Sequence, residues 1–163
     1  MKLVFTALAL SLSISLLGQQ NCACCSEQHR QFDFWLGKWE VFNPAGKKVG
    51  ENTITQVQGK CVLQEDWVSN QTGTSYNYYD PNDSTWNQLY LDNQGTILAL
   101  KGKFEDHKMI LWSDKVKGQN GEYRNRIIWQ LLPDGSVSQK WDIVALNGQV
   151  ISVAFDGIYR KKK

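Results

Sequence analysis

After residue 37 the chain is divided into short segments by turn-forming residues at even intervals. The turn signals are "NPAGKK", "VQGK", "NQTGT", "DPNDS", "DNQGT", "EDHK", "KGQNGE", "PDGS" and "LNGQ". The segments between them are rich in valine, isoleucine, threonine, tyrosine and tryptophan, and several alternate apolar with polar residues. This alternation is typical of strands with one buried face. The pattern therefore predicts about ten strands, one more than the number of turns.

The predicted strands should form a closed sheet. No segment after residue 37 is long enough for a helical crossover between parallel strands, so consecutive strands should pair antiparallel as hairpins. Closing such a meander removes its two exposed edges. We therefore predict an all-β fold, an up-and-down antiparallel β-barrel. A β-sandwich is the alternative, but it usually needs longer connections than these turns provide.

The segment "SEQHRQFDFWLG" is the one candidate helix. Ser26 can cap its beginning, Gly37 can end it, and its apolar residues share one face. We predict that this short N-terminal helix plugs one end of the barrel. The aromatic residues expected to fill that end are Phe32, Phe34, Trp35 and Trp39.

The first residues have the pattern of an export signal. One lysine precedes the apolar run "LVFTALALSLSISLL", which is too short to span a membrane as a helix. We predict a signal peptide over 1–20, a cysteine-rich leader with the short helix over 21–36, and one barrel domain over 37–163. The exported chain would be periplasmic or secreted. Lipoprotein anchoring is disfavoured because Gln20 and Asn21, rather than small residues, precede Cys22.

Export changes the interpretation of the 4 cysteines. Outside the cytoplasm cysteines tend to form disulfides. A zinc site would need two Cys-x2-Cys pairs or added histidines, and that spacing is absent, so we predict no metal. We expect a bridge from the cluster of Cys22, Cys24 and Cys25 to Cys61. The full pairing stays open, since four cysteines allow three arrangements.

Charge and motifs narrow the possible partners. The net charge is +2, with 18 basic against 16 acidic residues, and no basic stripe suited to nucleic acid is present. No phosphate loop or dinucleotide fingerprint occurs, so we expect no cofactor. His29 in the leader and His107 in a tight turn are poorly placed for a nucleophilic mechanism or a haem site. We expect no transmembrane segment in the mature chain, and protein partners stay open.

The motif Gly37-Lys38-Trp39, just after the helical segment, resembles the G-x-W signature of the lipocalin-like, or calycin, barrels. The resemblance implies that Trp39, with Trp35 and Gly37 beside it in the sequence, closes the barrel floor and that a basic residue of the last strand, Arg160, packs across it. The longer pattern, from "FDFWLGKWEV" through "CVLQEDW" to "FDGIY", resembles a family of exported bacterial proteins with this barrel. It covers nearly the whole mature chain. A helical lid, as in fatty-acid-binding proteins, is not expected, because only "NPAGKK" joins the first two strands.

A small barrel either fills with side chains or holds one small ligand. With 7 tryptophans and 6 tyrosines, the chain favours a ring-bearing ligand, so we predict binding of a small hydrophobic or aromatic molecule. Strand alternation places Asp156 outward and pairs Tyr78 with Tyr76 on the inner face. The residues predicted to bind the ligand are Glu65, Trp67, Tyr78, Trp86, Gln88, Tyr90, Asn125, Trp129, Gln139 and Trp141.

Two other functions stay open. Glu65 shares a face with Trp67, so it could act as a buried acid or base in an isomerase or cyclase, although no other catalytic group is predicted. Alternatively, a filled barrel would have a structural or interaction role. An open cavity favours binding, a filled interior favours the structural role, and a desolvated Glu65 with space beside it favours the enzyme.

Overall fold

The computed structural model describes residues 22–119 and 121–162. The predicted signal peptide over 1–20 lies outside these residues. Two short helical pieces, Glu27–Arg30 (α1) and the 3-10 turn Asp33–Trp35, precede eleven strands. The strands are Gly37–Phe42 (β1), Lys48–Val57 (β2), Val62–Val68 (β3), Thr72–Asp80 (β4), Thr85–Asp92 (β5), Ile97–Glu105 (β6), Lys108–Trp112 (β7), Val116–Gly118 (β8), Gly121–Leu131 (β9), Val137–Ala145 (β10) and Val150–Lys161 (β11).

Ten of the strands close into an antiparallel barrel. Each strand pairs with its neighbour in sequence, except that β7 pairs with β9, and β1 pairs with β11 to close the ring. The short strand β8 pairs only with β9 and lies outside the ring. The predicted meander and closed barrel are therefore confirmed, and the sandwich alternative is wrong.

The nine turn signals all fall between strands. The eleventh strand arises from a break that the turn chemistry did not reveal, at 113–115 between β7 and β8. There the hydroxyl of Ser113 accepts a 2.8 Å hydrogen bond from the amide of Asn125, which continues the pairing with β9 through a side chain. The connection between β1 and β2 is only 43–47, so these strands carry no helical lid.

The predicted helix is two short pieces that plug one barrel end. Ser26 caps α1 by accepting a hydrogen bond from the amide of His29 at 3.4 Å. Phe32 and Trp35 are fully buried, and their rings stack with centroids 5.0 Å apart. The ring of Phe32 also meets Trp86 and Trp129 edge-on, at 5.6 and 5.3 Å. Such aromatic contacts bury large apolar areas, so this end of the barrel is a packed core.

The basic residue across the barrel floor is Lys161, and the prediction of Arg160 is wrong. The pairing of β1 with β11 places Lys161 opposite Trp39, and its ammonium lies 3.9 Å from the centre of the indole. The same ammonium donates a hydrogen bond to the carbonyl of Leu36. Because neighbouring residues of a strand face opposite sides, Arg160 points outward, over the ring of Phe42.

Gly37 makes room for that lysine. Its φ is +125°, and a Cβ there would lie 2.5 Å from the ammonium of Lys161. A side chain at this position would therefore displace the cation from the floor of the barrel.

Two disulfides fasten the leader. Cys24 pairs with Cys61, directly before β3, and Cys22 pairs with Cys25. The expected bridge to Cys61 is confirmed, and the open pairing is settled. Arg30 supports it by donating hydrogen bonds to the carbonyls of Cys24 and Lys60, at 2.7 and 2.6 Å. Over 22–119 and 121–162 no helix has the length and apolarity needed to cross a membrane.

Candidate functional site: a cavity at the open end of the barrel

The barrel is filled at the plugged end and hollow at the other. A cavity of about 340 Å³ opens at the end that carries the β3–β4 and β10–β11 connections. This volume lies within the range of small-molecule sites. The residues that line it are Val49, Glu65, Trp67, Ser69, Gln71, Gln88, Tyr90, Leu98, Ile127, Gln139, Trp141, Ala154, Phe155 and Tyr159.

Two tryptophans of the cavity wall are held in place by hydrogen bonds. The indole nitrogen of Trp67 donates to the hydroxyl of Ser69 at 3.1 Å, and that of Trp141 donates to the side-chain oxygen of Asn125 at 2.8 Å. The ring of Phe155 meets Trp67 edge-on with centroids 6.0 Å apart. These contacts fix the aromatic surfaces before any ligand arrives, which lowers the entropy cost of binding.

Two glycines let the aromatic rings lie back against the wall. A Cβ at Gly50 would come within 2.5 Å of the Trp67 ring, and one at Gly73 within 2.6 Å of a ring carbon of Tyr90. Both glycines lie on strands next to the aromatic residue in the sheet. The rings therefore occupy space that side chains would otherwise fill, and the centre of the cavity stays open.

A hydrogen-bonded network surrounds Glu65 in the wall. The amide of Asn52 donates to one carboxyl oxygen and the hydroxyl of Ser75 donates to the other, both at 2.6 Å. Asn77 donates to the Ser75 hydroxyl at 2.9 Å, and Gln88 donates to the Asn77 carbonyl oxygen at 2.8 Å. The network joins β2, β3, β4 and β5 and orients both oxygens of the carboxyl group.

The electrostatics of the cavity centre on this carboxyl group. Glu65 is 5% exposed, and burial raises its pKa, although the hydrogen bonds from Ser75 and Asn52 act in the opposite direction. Burial, with the nearby Glu65 charge, also raises the pKa of Tyr90 to about 12 and that of Tyr159 well above its usual range. Both phenols are therefore neutral at ordinary pH. Among the described residues, Glu65 is the one acidic or basic side chain that lines the cavity.

Six of the ten residues predicted to bind a ligand line this cavity: Glu65, Trp67, Gln88, Tyr90, Gln139 and Trp141. Asn125 lies behind the wall, where it holds Trp141. Trp86 and Trp129 are inside the barrel but belong to the packed core around Phe32. The residues predicted inside the barrel are thus divided between the half with the cavity and the packed half.

Tyr78 does not belong to the interior, so its prediction is wrong. It is 42% exposed, as is Tyr76, while Ser75 and Asn77, which alternate with these tyrosines along β4, are buried. Alternation along β4 is present, but the polar residues face inward because they join the Glu65 network. Asp156 is exposed on the outer surface, as predicted.

Several residues of the site were missed by sequence reasoning. Phe155 and Tyr159 line the cavity from β11, and the Tyr159 hydroxyl donates to the side-chain oxygen of Gln139. A β-bulge between Trp141 and Asp142 interrupts the pairing with β11, so simple alternation could not place this strand. The inward position of Asn52 was predictable, because it lies two residues before the apolar Ile54 and therefore on the same inner face of β2.

The remaining groups that could support other chemistry lie elsewhere. The ring of His29 contacts Ser26 and the edge of Tyr79 near the plug, and His107 is exposed in the β6–β7 turn. Over the described ranges, no three residues among histidine, cysteine, aspartate and glutamate are grouped to hold a metal ion. The chain matches no protein-family model, and no curated protein is significantly similar to it.

Proposed function

We propose that this protein binds one small hydrophobic or ring-bearing molecule in the cavity at the open end of the barrel. The observation that carries the proposal is the space of about 340 Å³ between aromatic walls, into which Glu65, Gln88 and Gln139 also present polar groups. Sites for small molecules combine apolar walls with a few placed donors and acceptors. The volume suits a single small ligand.

The division of the barrel supports binding over a purely structural role. Phe32, Trp35 and Trp129 fill the plugged half and are at most 1% exposed. The other half also contains large aromatic side chains, yet these lie against the wall and leave an open space. A barrel whose task is only structural has no need for that space.

We propose further that the protein is exported and belongs among the lipocalin-like barrels of exported bacterial proteins. The two disulfides support export, because such bridges persist in oxidising compartments. The closed ten-stranded barrel with its N-terminal plug supports the lipocalin-like assignment. The signal-like apolar run before residue 20 points the same way.

The first experiment is native mass spectrometry of the protein purified from the cells that make it, followed by analysis of the small molecules released on denaturation. A stoichiometric apolar or ring-bearing compound is the expected result. Protein that is always empty and takes up no apolar probe would contradict the proposal and favour the structural role.

A matched pair of variants locates the ligand. Ala154 is exposed and lines the mouth of the cavity, whereas its neighbour Val153, also exposed, does not line it. Ala154→Phe should reduce uptake of the neutral dye N-phenylnaphthylamine at least tenfold, because the new ring occupies the space. Val153→Phe should leave dye uptake unchanged. Equal effects of the two variants would place the dye outside the barrel.

An enzyme is the second candidate, and Glu65 is the observation that favours it. Its carboxyl group is desolvated, its pKa is raised, and the cavity lies beside it, as acid or base catalysis requires. An isomerase or cyclase of this kind would move a proton to or from its ligand. The released compound, returned to the protein in D₂O, should then gain deuterium, and Glu65→Gln should abolish the exchange. Absence of exchange in the unaltered protein would exclude this chemistry for that compound.

A further inference from the structure

We infer that the ligand carries a protonated amine, which Glu65 and the aromatic walls of the cavity receive together. This inference rests on the proposed binding function and names the chemical class of the ligand. It follows from the charge of the wall, from the position of the rings and from the hydrogen bonds that hold the carboxyl group.

The first step is the unbalanced charge. Glu65 is buried in the wall, and no lysine, arginine or histidine of the described chain lines the cavity with it. An ionised carboxylate without a partner is costly to bury. A cationic ligand supplies the missing partner, while an anionic ligand would add a second negative charge to the same cavity.

The second step is the set of rings around that charge. Trp67 lies two residues from Glu65 on β3 and faces the same cavity, and Tyr90 and Trp141 line it from β5 and β10. The faces of tryptophan and tyrosine attract organic cations, most strongly where water is excluded. The same rings accept the apolar part of the molecule, so an amine attached to an apolar group matches both features of the wall.

The third step is the hydrogen bonding of the carboxyl group. Both of its oxygens accept a hydrogen bond, one from Asn52 and one from Ser75. Donors aimed at both oxygens favour the ionised form over the protonated acid. Each oxygen keeps a further acceptor site for an ammonium donor, and a hydrogen bond between two charged groups is stronger than one between neutral groups.

The test uses three probes of nearly equal shape: phenethylamine, phenethyl alcohol and phenylacetate, which are cationic, neutral and anionic at neutral pH. Their dissociation constants are measured by isothermal titration calorimetry with the full mature protein. Phenethylamine should bind at least tenfold more tightly than phenethyl alcohol, and phenylacetate should bind most weakly.

Two variants distinguish the effect of the Glu65 charge in the cavity from the effect of the net charge of the molecule. Glu65→Gln should remove the preference for the amine. Its neighbour Asp66 is exposed on the outer face, so Asp66→Asn loses the same charge without touching the cavity and should keep the preference.

The outcomes are distinct. Equal binding of amine and alcohol, tighter binding of phenylacetate, or an amine preference that survives Glu65→Gln would overturn the inference while the binding function stands. Failure of all three probes, together with failure to take up N-phenylnaphthylamine, would overturn the binding function itself.

Discussion

At the residue scale, one lysine side chain joins the last strand to the beginning of the first. The ammonium of Lys161 lies over the Trp39 ring and also donates to the carbonyl of Leu36. Partial burial lowers its pKa, although the residue stays exposed to solvent. The two contacts therefore stabilise a cation that is still partly hydrated.

We expect Lys161→Ala to lower the free energy of unfolding by about 1 to 2 kcal/mol, since it removes a cation–π contact and a hydrogen bond to a charged group. Arg160→Ala is the matched control, because its exposed contact with Phe42 is worth no more than about 1 kcal/mol. Trp39→Ala should cost roughly 3 to 5 kcal/mol as a large core truncation. Urea unfolding measures all three. A larger loss from Arg160→Ala than from Lys161→Ala would contradict the observed closure.

A second feature at the residue scale is the ion pair of Arg126 on β9 and Asp142 on β10, which lies on the outer face of the sheet. Asp142 is 1% exposed, and Arg126 donates to it at 2.6 Å. Lys140 is the other nearby cation, but its ammonium is 3.9 Å away and its side chain is half exposed. Arg126 also lies over the ring of Trp112.

Arg126→Ala should lower the free energy of unfolding by roughly 3 kcal/mol, because it leaves a buried carboxylate without its close partner. Lys140→Ala should change it by less than about 1 kcal/mol, as for other exposed pairs. Chemical denaturation of the two variants under the same conditions gives the comparison. Similar values would show that the burial of Asp142 does not depend on Arg126.

At the element scale, the position of an aromatic ring depends on the residue that faces it on the next strand. Gly73 on β4 leaves room for Tyr90 on β5, and the three atoms nearest to a Cβ at Gly73 all belong to that tyrosine. Gly73→Ala should therefore cost about 1 to 3 kcal/mol through overpacking, and should push the ring into the cavity.

A double-mutant cycle tests the origin of this cost. In a Tyr90→Ala background, Gly73→Ala should have almost no effect on stability, because the clashing ring is absent. A cost that persists in that background would mean that the alanine strains something other than Tyr90.

The two disulfides should differ in their effect on stability. The bridge between Cys24 and Cys61 closes 37 residues, and that between Cys22 and Cys25 closes 3. The entropy of loop closure gives roughly 4 kcal/mol for the longer loop and under about 2 kcal/mol for the shorter. Replacing Cys24 and Cys61 by serine should therefore lower the melting temperature more than replacing Cys22 and Cys25. The reverse order would show that the long bridge does not constrain the unfolded chain.

Local signals in the sequence predicted the strands, but not always which residues of each strand face the interior. Turn residues and alternation suffice for the hairpins, because both act within a few residues. Whether a strand turns its aromatic or its polar residues inward depends on partners across the sheet. On β4 the partner is Glu65. Its carboxyl group accepts a hydrogen bond from Ser75 on the inner face of the strand, so Tyr78 lies on the outer face. The wrong prediction of Arg160 in place of Lys161 has the same origin. The register between β11 and β1 decides which residue lies opposite Trp39.

At the scale of the whole molecule, the barrel combines a packed half with a half that contains a cavity. The N-terminal plug and the floor around Trp39 form a buried aromatic core at one end. The cavity and the Glu65 network occupy the other end. The candidate site could be predicted in outline because its aromatic and polar residues alternate along single strands. Its exact membership could not, because the depth of the plug decides which interior residues remain free.

The buried Glu65 should make the stability of the whole protein depend on pH. Because burial raises its pKa above the ordinary value of 4.5, the folded state binds more protons than the unfolded chain between the two pKa values. The free energy of unfolding should therefore fall as the pH rises through that interval. The phenol of Tyr90 titrates near pH 12 and does not contribute there.

Glu65→Gln should remove this dependence. The variant can keep the network, since the side-chain oxygen of Asn52 has no hydrogen-bond partner and can accept from the new amide. Relative to the unaltered protein, the variant should gain stability as the pH rises from below 4.5 through the raised pKa of Glu65, measured by urea unfolding without ligand. Asp66→Asn, one residue away on the outer face, is the control. A stability difference that is constant over this range would contradict the raised pKa.

The closure of the barrel by its first and last strands also has a consequence for biosynthesis. Trp39 on β1 meets Lys161 on β11, so the ring of strands cannot close until β11 has been made. A growing chain can form the early hairpins, but it keeps an open sheet edge and an unsealed interior until β11 leaves the ribosome. The closed barrel can thus form only after β11 has been made. The period before closure is the one in which a chaperone would protect this protein from aggregation.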